Sequence, residues 1–97
     1  MQIIPLGTPV LFITDNRIAH HGIVCATDYS KCVMPEDRPI VNLCVFSNRG
    51  YAMAKERVEP AKFNGIRWII LRKYALPGEV PEEEFEWPVV ERKTSLY

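Results

Sequence analysis

Apolar and polar positions along this chain fall into short runs broken by proline, glycine and asparagine, a spacing that predicts strands. The clearest run is Ile40 to Phe46, Ile-Val-Asn-Leu-Cys-Val-Phe. Ile40, Asn42, Cys44 and Phe46 fall on one face, and Val41, Leu43 and Val45 on the other. Both faces are apolar except at Asn42, which predicts a central strand covered on both sides, the buried spine of the fold. Ser47 to Gly50 then predicts a turn, with Asn48 or Gly50 able to take a positive φ.

Upstream, Pro5-Leu6-Gly7 is a turn-forming cluster and Pro9 to Thr14 reads as a short strand. Pro9 has no amide hydrogen, so it must start that strand or lie on an edge. Asp15-Asn16 turns the chain into a longer strand, Arg17 to Tyr29, in which Gly22 predicts a bulge or bend. Ser30 to Pro39 holds Pro35, Pro39 and the charges Lys31, Glu36, Asp37 and Arg38, and predicts a long loop of the sort that carries function. Tyr51 to Val58 alternates loosely and is assigned as strand because a hairpin turn precedes it, although Ala52 to Glu56 suits a helical turn equally well. Asn64-Gly65 is the strongest turn dipeptide, and Ile66 to Tyr74 reads as one strand from its β-branched and aromatic content.

Five short strands joined by turns predict an all-β fold, a small antiparallel barrel over residues 1–76. The composition changes over 77–97, where Pro77, Gly78, Pro81 and Pro88 accompany Glu79, Glu82, Glu83, Glu84 and Glu86. A solvated arm would need no Phe85, Trp87, Val89 or Val90. Phe85-Glu86-Trp87-Pro88 is therefore expected to anchor an extended C-terminal arm on the barrel or on a neighbouring copy.

Ninety-seven residues are enough for one core and too few for two. Twelve basic and twelve acidic side chains cancel. Long nucleic acid, which selects a basic excess, is a poor partner for such a chain. Zero net charge also leaves copies free to associate, so a homo-oligomer is expected. No apolar run approaches the ~20 residues that span a bilayer, and the start lacks the basic-then-apolar order of a signal peptide. Cys25, Cys32 and Cys44 are odd in number and lack CxxC spacing, which predicts a reducing compartment and buried, inert thiols.

His20 and His21 are adjacent, so on a strand they face opposite ways, and no further ligand follows at a metal-binding spacing. No metal and no cofactor is expected. A nucleophile and base could be assembled from Cys25 or Cys44 and His21, but no Gly-x-Ser-x-Gly, phosphate-binding glycine loop or HExxH accompanies them. A hydrolase on Cys44 or His21 therefore ranks last, and no catalytic residue is assigned. Arg38, Arg49, Arg57, Arg67 and Arg72 are interleaved with Tyr29, Tyr51, Trp68 and Tyr74. Strand aromatics are usually core residues beside solvated arginines. The same combination also suits a small nucleotide, with guanidinium on phosphate and a ring on the base.

Val41-Asn42-Leu43-Cys44-Val45-Phe46, followed by Gly50, resembles a family of small bacteriophage proteins of uncharacterised role. That family's pattern is an Ala-x-Val-type strand, a loop, Val-Asn-Leu-x-Val-Phe, a glycine turn and a late aromatic-Trp-Pro. Its counterparts here are Ile23 to Ala26, Val41 to Phe46, Gly50, and Phe85 to Pro88. The resemblance covers roughly residues 8 to 60 and the arm, through short apolar motifs that carry no catalytic residue across. The Ile66 to Tyr74 segment and the acidity of the arm depart from the pattern. The resemblance implies a phage or prophage origin, expression in the host bacterial cytoplasm, and a Src-homology-three-like barrel. The expected function is a non-enzymatic phage accessory protein that acts by binding in counter-defence, sequestering a nucleotide signal or blocking a host defence protein. In the nucleotide case Arg49, Arg57 and Arg67 contact phosphate, Tyr51 or Trp87 stacks on the base, and His21 completes the candidate set. The alternative is a structural adaptor of the virion or a phage complex that oligomerises through its arm.

Overall fold

The computed structural model describes residues 1–47 and 49–87. The turn candidate Asn48 and the arm residues Pro88, Val89 and Val90 lie outside them. Among the described residues seven strands follow one another: β1 (Pro9–Ile13), β2 (Ala19–Asp28), β3 (Ile40–Phe46), β4 (Ala52–Pro60), β5 (Lys62–Phe63), β6 (Trp68–Ile69) and β7 (Lys73–Ala75). A single 3₁₀ turn among the described residues, Glu82–Glu84, comes after them. β1, β2, β3, β4 and β7 close into a barrel in that order, while β5 and β6 form a separate hairpin. The barrel is all-β and compatible with a small Src-homology-three-like arrangement. One seam departs from the expected antiparallel pairing: β4 and β7 run parallel, with Glu59 opposite Lys73 and Pro60 opposite Tyr74.

Alternation sorts the side chains. Val41, Leu43 and Val45 of β3 point inward with Val10, Phe12, Val24, Val58 and Tyr74, and all are buried. The outward residues Ile40, Asn42 and Cys44 are half-buried and Phe46 is exposed, so β3 is covered on one side, not two. The doubly covered strand is β1. Its Leu11 and Ile13 face outward into a second cluster with Ala19, Ile70, Ala75, Val80 and Phe85. A closed barrel has one interior, so a strand buried on both faces needs a further layer, and here Ile70 together with Val80 and Phe85 of the arm supplies it over β1.

Gly22 is not the bulge. It pairs in register with Val10 and Val45, and a Cβ there would sit 3.1 Å from the Cys44 carbonyl oxygen. Its value is close strand approach. The register shift comes later, between Val24 and Ala26, and it leaves Cys25 exposed on the outside of the barrel. Cys32 and Cys44 are only half-buried. The three thiols are thus not the buried group expected, because the bulge and the outward face of β3 put two of them outside.

β4 is a strand with no helical turn, and its register against β3 shifts between Val41 and Leu43. Arg57 lies in that shift at φ 51°, and its N–H donates to Asn42 Oδ1 at 3.0 Å. The expected single strand from Ile66 to Tyr74 is broken in two. Arg72 takes φ 60°, and Lys73 N–H donates to the Ile70 carbonyl at 3.1 Å. The break lets Ile70 enter the second cluster while Tyr74 and Ala75 pair with Phe12 and Leu11.

The Ser30 to Pro39 loop is held at both ends. Tyr74 Oη donates to the Pro39 carbonyl at 2.6 Å, and burial pushes that phenol well above its ordinary pKa. Tyr29 Oη accepts Ile4 N–H at 3.0 Å and donates to the Ile4 carbonyl at 3.2 Å. The arm anchors on its own barrel. Phe85 is buried, Glu86 N–H donates to the Arg17 carbonyl, and Ala19 N–H donates to the Glu86 carbonyl, both at 2.6 Å. Among the described residues no helix is long and apolar enough to cross a membrane.

Candidate functional site

A groove of about 620 Å³ opens between the Ser30 to Pro39 loop, Gln2, the end of β4 and the β5–β6 hairpin. Its apolar lining is Ile40, Pro60, Ala61 and an aromatic pair, Phe63 and Trp68, whose ring centroids lie 5.5 Å apart. Phe63 is exposed on its hairpin strand, which is what places it in the groove and not in a core. Much of the charge around the groove is already matched. Arg38 Nε donates to Gln2 Oε1 at 2.7 Å, and its guanidinium is ion-paired with Glu79. Both of those side chains are less than one-fifth exposed. Glu59 meets Lys73 at 3.4 Å. Asp37 Oδ2 accepts the N–H groups of Met34 and Val33, which hold its carboxyl below the usual carboxylate range. Lys31, Lys62 and Glu36 also line the groove and make no ion pair among the described residues.

A second groove, of about 390 Å³, lies where the end of β1, the shifted part of β4 and the turn before β7 meet. Lys55, Arg57 and Arg72 line it together with Thr14, Asp15 and Phe12. Lys55 Nζ stands 5.7 Å from the centroid of the Phe12 ring. Arg72 grips Asp15 at two points, 2.5 and 2.9 Å, which holds the Asp15 carboxyl below its ordinary pKa. Arg57 reaches Asp28 at 3.4 Å. Asp28 is lowered first by its hydrogen bonds with Ser30, and Arg57 adds less.

Among the described residues three non-glycine positions have positive φ, and all three are arginines: Arg17, Arg57 and Arg72. A left-handed conformation costs an L-residue on the order of 1 kcal/mol, which glycine escapes. Exposed ion pairs of the kind these side chains make return little.

The residues singled out in the sequence fall in separate places. Arg49 and the exposed Tyr51 share the β3–β4 turn, where Tyr51 N–H donates to Ser47 Oγ at 3.0 Å. Arg67 sits in the β5–β6 turn with its N–H on Asn64 Oδ1 at 2.9 Å. Arg57 lies in the smaller groove, five residues into β4 and so roughly 17 Å along the strand from the turn that holds Arg49. His21 and Trp87 do meet, stacked with centroids 5.2 Å apart. Cys44 pairs across the sheet with Ile23, not with His21. His20 Nδ1 is buried without a hydrogen-bond partner, and no group of three metal-ligating side chains exists among the described residues.

Sequence reasoning missed Lys55, and it named Arg72 without joining it to Arg57. Lys55 and Arg57 come to one groove through the register shift in β4, and their meeting with Arg72 depends on the parallel seam; no local pattern encodes either. Comparisons with protein-family models, curated proteins and solved structures found no match to this chain.

Proposed function

We propose that this chain is a non-enzymatic bacteriophage accessory protein that acts by binding, and that its larger groove grips an extended segment of a host defence protein. The observation that carries this is the make-up of the groove: the Phe63–Trp68 pair and Pro60 at an apolar centre, ringed by charges many of which are already matched. Protein interfaces have that anatomy, an aromatic anchor inside a polar rim. The phage setting rests on the resemblance carried by Val41 to Phe46 and Phe85 to Pro88. Arg49, Arg57 and Arg67, the cations expected to hold a nucleotide, do not line this groove, which favours a protein partner there.

The test compares wild type with Trp68→Ala as bait in extracts of infected cells, followed by Kd measurement on the purified pair. A host protein held by wild type should be held about 30-fold more weakly by Trp68→Ala, since an aromatic hot spot is worth about 2 kcal/mol. A partner bound equally by both proteins sinks the assignment of the groove.

A further inference from the structure

We propose that the smaller groove is a binding site for a small phosphorylated ligand, whose phosphate oxygens are held by Lys55, Arg57 and Arg72. The three residues come from two stretches of chain, Lys55 and Arg57 from β4 and Arg72 from the turn before β7, and all line one hollow of about 390 Å³, large enough for a compact ligand. Two of them stand at positions where glycine would relieve the backbone. A bulge in β4 or a turn before β7 needs only a residue that tolerates positive φ, so an arginine there serves its side chain.

The present partners of those side chains are weak competitors. Arg57 touches Asp28 at 3.4 Å with more than half of its side chain exposed, and Arg72 is three-quarters exposed on Asp15. Arg72 holds Asp15 by the same two-point fork that guanidinium uses on phosphate, so Asp15 occupies the place a ligand oxyanion would take. Water screens that pair, and exchange for a more highly charged anion loses little. Glu56 also lines the groove, so a singly charged anion gains nothing over Asp15 while a multiply charged phosphate does. Phe12 beneath Lys55 gives the groove an apolar wall.

Calorimetry of the full chain with pyrophosphate at low salt tests this. Wild type should bind pyrophosphate and ignore acetate. Arg57→Gly and Arg72→Gly should each weaken binding about tenfold or more while thermal midpoints stay level or rise. Lys55→Ala should weaken it too, and Trp68→Ala, in the other groove, should leave it unchanged. AMP bound more tightly than ribose 5-phosphate assigns the ligand to nucleotides, equal affinities assign it to sugar phosphates, and both results carry the proposal. Absence of heat with pyrophosphate overturns it, as does undiminished binding by Arg57→Gly. A lowered midpoint in both glycine variants also overturns it, by showing that the arginines serve the fold.

Discussion

Asn42 interrupts an otherwise apolar strand, and the register shift opposite it explains why. The shift turns Arg57 N–H out of the ladder, and Asn42 Oδ1 accepts it at 3.0 Å. Asn42→Ala leaves that donor without its protein acceptor, so urea unfolding should show a loss of about 1 kcal/mol, while Asn42→Asp keeps an acceptor and most of the stability. The exception was visible in the alternation of Ile40 to Phe46; its purpose was not, because a bulge is a property of two strands. Asp37 makes a second claim at this scale. Its folded-state pKa is depressed, chiefly by the N–H of Met34 and then by that of Val33. A depressed carboxylate contributes stability that is fully present above its unfolded pKa of about 3.9 and is lost as pH falls through the lower folded value. Acid titration followed by circular dichroism should therefore show wild type losing stability below about pH 4 more steeply than Asp37→Asn, which starts from a lower plateau at neutral pH.

Among the elements, the arm shows how far local composition reaches. Prolines and glutamates over 77–97 predict an arm without regular structure, and Phe85 among them predicts an anchor. The structure seats Phe85 against Leu11, Ile13 and Ile70, where only 6% of it remains exposed. Phe85→Ala should cost about 3 kcal/mol in denaturant unfolding, the range for a deleted core phenyl ring. A loss below 1 kcal/mol would mean that the arm does not cover β1 in solution. The break at Arg72 was not legible. β-branched and aromatic side chains favour strand at every position from Ile66 to Tyr74, yet the chain must turn to send Ile70 into one cluster and Tyr74 into the other. Tertiary packing overrides propensity there.

At the scale of the whole molecule, β4 organises both grooves. Its shifted middle supplies Lys55 and Arg57 to one, and its end supplies Glu59 and Pro60 to the other. The barrel was legible because five strand signals separated by turns leave few other ways to bury one face each. The candidate sites were legible only in part. Arg57 and Arg38 were recognisable as residue types in suggestive places, whereas the company they keep follows from which strands become neighbours.

The seam between β1 and β7 also bears on how the protein reaches its folded state. Leu11 must find Ala75, and Phe12 must find Tyr74, across nearly the whole barrel sequence. A loop of that length is entropically expensive to close, and little is gained until it closes. Hairpins from β1 to β4 can form early, but the ring stays open until the short β7 arrives. The rate-limiting step of folding is therefore expected to be the docking of these three residues, with formation slow for a chain of this size.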